Sequence, residues 1–229
     1  LEAKIFEQIC KDGDVVIEVG ANIGAHTLYL SKLVGNGYVF AFEPQRLVFQ
    51  NLCANLALNS ISNVFAYQEA VSNENGTIII PECNFKENNN FGGINIENTK
   101  NGTTVNKQKL DNFLNKIDRL KLLKIDVEGM EISVIKGASE LIKKFRPMIY
   151  VENDRQEHSK ELIELLWSLD YKMYWHLPKL YNENNFFNDK ENIFGNIVSV
   201  NMFCIHKDSN IKILDMTEVL DSSFHPMKR

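Results

Sequence analysis

The sequence predicts one α/β domain built on a mostly parallel β-sheet. Strand-like and helix-like segments alternate over roughly the first seventy residues, and each connection between strands is long enough to hold a helix. Glycines follow the first strand and an acid ends the second, which is typical of a ligand site in such a sheet. No repeat or composition boundary is visible, so residues 1–229 are interpreted as a single domain.

The first half of the chain contains the clearest alternation. It begins in a helix-like segment, residues 1–12, whose abrupt start we interpret as a trimmed end. Strands are predicted at residues 14–19, 38–42 and 64–71, and helices at residues 23–33 and 46–58. A short β-branched run at residues 77–80 is followed by an Asn-, Gly- and Lys-rich stretch, residues 82–104, which we interpret as a loop.

The second half repeats the pattern less regularly. An apolar strand is predicted at residues 122–126, and the helical segment after it is expected to divide at Gly137, because glycine inside a helix is unfavourable. Further strands are predicted at residues 148–151, 172–177 and 198–206, with a helix at residues 159–169 and a polar loop at residues 181–196.

Bulk properties exclude several classes of protein. The net charge of −5 argues against nucleic acid as the required partner. No apolar run approaches the roughly 18 residues of a membrane span, so no membrane insertion is expected. The four cysteines form no C-x-x-C pair, which indicates free thiols in a reducing compartment, and no signal peptide is visible. A cytoplasmic location is therefore expected.

The glycine turn narrows the choice of cofactor. Gly20, Asn22 and Gly24 form a G-x-N-x-G pattern, whereas a dinucleotide site has glycine at the middle position so that a pyrophosphate can approach. Glu43 ends the next strand at the spacing typical of a ribose-binding acid. A ligand with adenosine on one side and an amino-acid end on the other, S-adenosylmethionine, fits this turn better than NAD.

Acids follow several of the predicted strands. Each is singly explained as a helix cap or a solvated turn, but parallel strands bring their carboxyl ends to one edge of the sheet. The residues expected at that edge are Glu18 to Gly24, Glu43, residues 68–70, residues 126–129, and Glu152 with Asn153. A site at this edge is the prediction.

Three blocks of residues carry a resemblance to a known family. The segments at residues 18–24 (EVGANIG), 42–44 (FEP) and 124–131 (KIDVEGME) resemble the FkbM family of S-adenosylmethionine-dependent methyltransferases. Residues 111–114, 135–138 and 146–147 are similar as well. The resemblance implies a class I, Rossmann-like methyltransferase fold, with seven mostly parallel strands, helices on both faces and an antiparallel last strand. It also implies methyl transfer to an oxygen, often a sugar hydroxyl.

The resemblance assigns the cofactor contacts residue by residue. Asp126 would lie beside the sulfonium and the incoming hydroxyl, and Glu43 would bind the ribose. The residues around the methionine part would be Glu18, Gly20, Ala21, Asn22 and Gly24, with Glu69 and Ala70 near the adenine. The family usually has Asp at the position of Glu18.

Two ways of assisting loss of the hydroxyl proton remain open. A general base is preferred, and the catalytic residues are taken to be Asp126, Glu128 and Glu152, with His26, His176 and His206 as other candidates. Alternatively, a magnesium ion would lower the hydroxyl pKa, held by oxygen ligands from Asp126, Glu152 and Asn153. The metal requirement is left unknown.

Two loops are expected on the acceptor side. Residues 82–104 contain Asn90, Phe91, Gly92 and Gly93, which are predicted to bind the substrate as part of a lid. The loop at residues 181–196, with Phe186 and Phe187, would complete the pocket. Two alternatives are retained: a non-catalytic cofactor-binding module that recognises glycans, and an NAD-dependent reductase, which the middle residue of the turn disfavours.

Overall fold

The computed structural model describes residues 2–81 and 102–227. Its main sheet has eight strands in the order β11-β9-β10-β8-β7-β1-β2-β3. The strands are β1 (Val15–Val19), β2 (Tyr38–Phe42), β3 (Val64–Tyr67), β7 (Leu122–Ile125), β8 (Met148–Glu152), β9 (Tyr171–His176), β10 (Asn201–His206) and β11 (Thr217–Glu218).

Strand direction confirms the predicted class of fold. Neighbouring strands in the spatial series β3-β2-β1-β7-β8 are all parallel. By contrast, β10 pairs antiparallel with both β8 and β9. This is the expected sheet with its last long strand reversed. A short eighth strand, β11, is added at the outer edge of β9.

Helices cover both faces of the sheet. They are α1 (Glu2–Ile9), α2 (Ala25–Val34), α3 (Arg46–Leu58), α4 (Glu131–Gly137), α5 (Ser139–Phe145) and α6 (Gln156–Ser168), with a 3₁₀ helix at Leu110–Phe113. One apolar core joins α1 and α2 to the sheet, and a larger one lies on the other face under α4, α5 and α6. The predicted division at Gly137 is confirmed, because α4 ends at that residue.

A second sheet of three strands is the main departure from the predicted elements. It contains β4 (Ala70–Val71), β5 (Gly76–Ile80) and β6 (Thr103–Gln108), in the order β4-β6-β5. The strand predicted at residues 64–71 is therefore two strands in different sheets, which part at residues 68 and 69. The chain must turn there because β3 is the outermost strand of the main sheet.

The carboxyl ends of the parallel strands form one edge, which we call the carboxyl edge. Because β10 runs backwards, Asn201 at its start pairs with Glu152 and lies at this edge, while His206 at its end pairs with Tyr171 at the opposite edge. In the described part of the chain, no helix combines the length and apolar character that crossing a bilayer would require.

Candidate active site

The turn after β1 is shaped by contacts that exclude side chains. The N–H groups of Gly20 and Ala21 both donate to the Phe42 carbonyl, at 3.0 and 2.9 Å. Gly20 has φ +85°, and a Cβ on it would lie 1.7 Å from the backbone oxygen of Asp126. Glycine is therefore required here twice over, by its backbone angle and by the close approach of the loop after β7.

Asn22 and Gly24 complete the turn. Both have positive φ, +50° and +92°, and Gly24 caps the start of α2. The Asn22 amide oxygen accepts from the N–H of Ile23 at 2.8 Å, so this oxygen shapes the turn itself. The residue is exposed at the tip of the turn, where the free N–H groups of a helix start favour a carboxylate.

Glu43 lies directly beneath this turn. Its carboxylate accepts from the N–H groups of Asn22 at 3.0 Å and Gln45 at 2.8 Å. The side chain is buried, and burial raises the pKa of Glu43 to about 7 against the opposing effect of the two backbone donors. A carboxylate fixed in this way still has lone pairs for two adjacent hydroxyl groups, as ribose presents.

Glu18 lies below the turn rather than in the open cleft. It is 1% exposed; one oxygen accepts from the Thr27 hydroxyl at 2.6 Å, and the other lies 3.5 Å from the Lys124 ammonium. Burial raises the pKa of this carboxyl group. Glu18 therefore supports the turn from below. Any effect of Glu18 on a methionine group would be exerted through Thr27 and Lys124.

Three acids meet at the carboxyl edge. Carboxylate oxygens of Asp126, Glu128 and Glu152 all lie within 4.8 Å of one another. Asp126 follows β7, Glu152 ends β8, and Glu128 projects from the intervening loop, where its φ of +55° and that of Gly129, +110°, turn the chain back. These are the three residues predicted to be catalytic, and the structure brings them together.

The three acids differ in their partners. Glu128 accepts from the Arg155 guanidinium at 2.7 Å, and Arg155 also lies 3.4 Å from Asp154. One oxygen of Glu152 is buried without a hydrogen-bond partner among the described residues. Burial, followed by the charge of Asp126, raises the pKa of Glu152 to about 9. Glu152 is therefore protonated near neutral pH and can donate a hydrogen bond.

Asn153, predicted as a third magnesium ligand, points elsewhere. It is buried, and its amide nitrogen donates to the Ser159 hydroxyl at 3.0 Å. The backbone carbonyl of Asn153 accepts from His225 Nε2 at 2.8 Å. That prediction is wrong because successive side chains of a strand alternate between faces, so Glu152 and Asn153 cannot face the same ligand. Glu128 takes its place in the group of three oxygens that could hold a cation.

The histidines proposed as bases are placed differently from one another. His206 is excluded by strand direction, since it lies at the far edge beside Asp208. His26 pairs with Glu2 at 3.1 Å, and burial lowers its pKa to about 4. His176 lies at the carboxyl edge two strands from Glu152, with its Nδ1 2.8 Å from the Tyr150 hydroxyl and its pKa also lowered to about 4 by burial.

The predicted adenine contacts lie next to the second sheet. Glu69 accepts a hydrogen bond from Gln108, and Ala70 is buried in β4, where it pairs with Lys107. The predicted substrate residues Asn90, Phe91, Gly92 and Gly93 lie outside the described residues.

The loop at residues 181–196 begins shortly after the carboxyl end of β9 and exposes aromatic rings. Phe186 and Phe187 are 91% and 86% exposed and contact each other edge to face at 5.2 Å. Hydrogen bonds within the loop hold it: Asn185 exchanges two with Asp189, at 2.7 and 3.0 Å, and the Tyr181 hydroxyl donates to the Asp189 carbonyl.

Sequence reasoning gave no role to Lys124 or Arg155. Lys124 is 2% exposed and its ammonium lies 3.3 Å from Asp126 as well as 3.5 Å from Glu18. A lysine inside an otherwise apolar strand, two residues before an acid, was the available signal. Arg155 carried none, because its pairing with Glu128 depends on how two loops meet.

These residues fit a cofactor with a cationic centre. The edge carries the three clustered carboxyl groups of Asp126, Glu128 and Glu152, with Asp154 near Arg155. Among the described residues, the half-buried guanidinium of Arg155 and the buried ammonium of Lys124 are the cations that contact them. Glu43 accepts a hydrogen bond from the backbone of the glycine turn, in which Gly20 and Gly24 have no room for a Cβ. A sulfonium is stabilised by such an edge, and so is a divalent cation at the group of three acids.

Comparisons with known proteins point to one family. Residues 18–173 match the model of the methyltransferase FkbM domain. The chain is 28% identical over 174 residues to the methyltransferase sdnD of Sordaria araneosa, covering 60% of this chain and 67% of that protein. It is 25% identical over 185 residues to the hexuronic acid methyltransferase AglP of Haloferax volcanii, covering 80% of this chain and 73% of that protein.

A solved structure is similar in fold. The FkbM methyltransferase from Methylobacillus flagellatus superposes with a TM-score of 0.54 at 17% identity, covering 88% of this chain. The chain spans half the length of that protein.

Proposed function

Because this chain belongs to the methyltransferase FkbM domain family, we propose that it is an S-adenosylmethionine-dependent O-methyltransferase acting on a hydroxyl of a sugar, glycan-like or other small-molecule acceptor. The observation that carries the proposal is the meeting of Asp126, Glu128 and Glu152 at the carboxyl edge, beside the glycine turn and Glu43. This arrangement supplies both a place for the cofactor and groups that can act on a hydroxyl proton.

The chain's main contribution is alignment. S-adenosylmethionine supplies a methyl group already activated on a sulfonium, so the residues need only bind, orient and deprotonate the acceptor. Holding two reactants in line lowers a barrier by up to roughly 7–11 kcal/mol. Glu43 and the turn at residues 20–24 would fix the adenosine and methionine ends, which leaves the acids at the ends of β7 and β8 to face the acceptor.

The different environments of the acids assign their roles. Glu152, whose pKa is raised to about 9, is protonated at neutral pH and serves as a donor to an acceptor oxygen. Glu128 is held by Arg155. Asp126 has the more exposed side chain of the ion-paired acids, 41% against 22% for Glu128, and is the group left to accept the hydroxyl proton.

The proposed step is a direct displacement at the methyl carbon. As the acceptor oxygen bonds to the methyl carbon, the bond from carbon to sulfur breaks and its electrons stay on the neutral thioether. The hydroxyl proton passes to Asp126.

A metal-assisted route is the second candidate, favoured by the Glu152 oxygen that has no hydrogen-bond partner among residues 2–81 and 102–227. Asp126, Glu128 and Glu152 would hold a magnesium ion, which would lower the pKa of a bound hydroxyl. The ion would also favour the ionised form of Glu152, since a nearby cation stabilises a carboxylate. Activity that disappears with a chelator and returns with magnesium would select this route over the metal-free one.

The name of the Haloferax relative suggests which acceptors to compare. Purified protein is incubated with methyl-labelled cofactor and a panel of neutral glycosides, hexuronic acids and an unfractionated glycan extract. Label found as a methyl ether on a hydroxyl supports the proposal, whereas label found only as a methyl ester on a carboxylate, or only on nitrogen, contradicts it. Tight S-adenosylhomocysteine binding without transfer to any acceptor would favour the non-catalytic module, and binding of NAD instead would favour the reductase.

A further inference from the structure

Lys124 is a deeply buried cation near the site, and the mechanism above does not use it. It lies in the middle of the sheet on β7, and its side chain is 2% exposed. Burying an ammonium is costly unless opposite charges surround it, and replacing a buried ion pair by apolar side chains is often neutral or stabilising. Stability alone therefore does not explain a lysine at this position.

The contacts of Lys124 join the two halves of the site. It pairs in register with Glu18 on the neighbouring strand β1, and its ammonium lies 3.5 Å from that carboxylate. The same ammonium lies 3.3 Å from Oδ2 of Asp126, two residues further along. One cation thus connects the acid under the glycine turn to the acid beside the acceptor.

The position of the Asp126 carboxylate depends on its contact with Lys124. Within residues 2–81 and 102–227, Lys124 is the cation in contact with the Asp126 carboxylate. The nearby oxygens of Glu128 and Glu152, within 4.8 Å, supply no positive charge to hold it. The side chain is 41% exposed, so much of it faces solvent. Without the ammonium, the carboxylate would turn away from the other acids and into solvent.

We propose that Lys124 is a positioning residue for methyl transfer: it holds Asp126 by Oδ2, so that this carboxylate faces the sulfonium of the bound cofactor. In this role Lys124 acts on the methyl donor through Asp126 and not by direct contact. This inference rests on the proposed function and names a further residue of the same site.

The charge of the cofactor provides a readout that needs no acceptor. S-adenosylmethionine carries a positive sulfur, whereas the product S-adenosylhomocysteine carries a neutral one; the two are otherwise bound by the same groups. The ratio of their dissociation constants therefore reports the negative charge held next to the sulfur. A loss of folding or of general cofactor affinity changes both constants together and leaves the ratio unchanged.

The experiment measures this ratio by titration calorimetry for the full chain and a set of variants. Asp126→Asn is expected to lower the preference for the sulfonium about tenfold, as removal of a close, partly exposed opposite charge implies. Lys124→Met is expected to lower it by a similar factor, and the double variant no further than either single one. Lys124→Arg should keep most of the preference. Lys136→Met, which removes an exposed lysine on α4 paired with Glu161, is the matched control and should change nothing.

Several results would overturn the inference. An unchanged or higher preference in Lys124→Met would show that Asp126 is held by other means. Effects of the two single variants that multiply in the double variant would show that Lys124 does not act through Asp126. Failure of both Lys124→Met and Lys124→Gln to fold, read from their melting temperatures, would make the residue a requirement of folding instead. Wild-type protein that binds neither ligand would count against the proposed function itself, which keeps the two failures distinct.

Discussion

The two sides of the site are built in opposite ways. On the cofactor side, the polar groups are satisfied within the chain: Glu43 by two backbone donors, and Glu18 by a hydroxyl and an ammonium. On the acceptor side, Glu152 has a buried oxygen without a partner in the described part of the chain, and Phe186 is 91% exposed. Under the proposed function, the cofactor side is thus preorganised, whereas the acceptor side would be completed by a ligand.

The largest effect should come from breaking the cofactor side at its closest contact. Gly20→Ala adds a Cβ that would lie 1.7 Å from the Asp126 oxygen, at a φ of +85°. We expect a loss of on the order of 4 kcal/mol in the free energy of unfolding, from backbone strain and the clash together. Chemical denaturation measures it.

A matched glycine separates the two causes. Gly13 has nearly the same φ, +84°, but nothing lies within 4 Å of the position of its Cβ. Gly13→Ala should cost about 1–2 kcal/mol, the backbone term alone. Equal losses in the two variants would contradict the tight turn described here.

On the acceptor side, Glu152→Gln should stabilise the protein in a pH-dependent way. The pKa of Glu152 is raised from its ordinary value to about 9, so the folded protein binds a proton that the unfolded chain releases. Wild-type stability is therefore complete below about pH 4.5 and falls as pH rises toward 9. Glutamine cannot ionise, and the variant should gain about 2 kcal/mol relative to wild type by pH 6 and almost nothing at pH 4.5.

Unfolding curves recorded from pH 4.5 to 9 test this slope. Glu183→Gln, on the exposed loop, is the control and should show no such trend. If the free energy of unfolding changed with pH in the same way for wild type and Glu152→Gln, the pKa of Glu152 would not be raised in the folded protein. The contrast between the cofactor side and the acceptor side would then weaken.

Glu43→Gln sharpens the comparison on the cofactor side. The amide keeps one acceptor where the carboxylate has two, so we expect S-adenosylhomocysteine to bind about tenfold more weakly, roughly the worth of one hydrogen bond to a charged group. Since the pKa of Glu43 is raised to about 7, wild-type affinity should also fall as pH is lowered from 8 to 6, where the carboxylate takes up a proton.

Titration of both proteins at pH 6 and pH 8 measures the two effects. The variant should be indifferent to pH over this range. Wild-type affinity that does not change between pH 6 and pH 8 would mean that the ionised Glu43 is not what the ribose contacts.

The smallest effect on stability should come from the exposed rings. Replacing Phe186 and Phe187 together by serine should change the free energy of unfolding by less than about 0.5 kcal/mol, because both are largely exposed. Cofactor affinity should stay the same, while the KM for the acceptor rises severalfold. A change in S-adenosylhomocysteine affinity with an unchanged KM for the acceptor would mean that these rings lie on the cofactor side of the site and not on the acceptor side.

Elements with strong local patterns were predictable from sequence. The strand at Tyr38–Phe42 and the helix at Arg46–Leu58 have the predicted bounds, because an apolar run and an amphipathic repeat are both local signals. The three acids were also predicted, since the rule that parallel strands end at one edge needs only strand order in the chain.

What depends on tertiary pairing was missed. The second sheet joins β4 to β6, which lie far apart in the chain, and β6 is mostly polar, so no local pattern marks their pairing. His206 was misplaced, although the reversed last strand was expected, because its position at a strand end was considered without its direction. Lys124 was given no role because its contact with Glu18 forms only when β1 and β7 lie side by side.

The hairpin of the second sheet has one more consequence. Ile80 and Thr103, the residues on either side of the segment 81–102, are directly paired across β5 and β6. Such partners lie about 5 Å apart, and the entropy of closing a loop grows only slowly with its length. Length and composition between them can thus vary at little energetic cost to the body of the domain, which makes this hairpin a natural point for grafting a different segment.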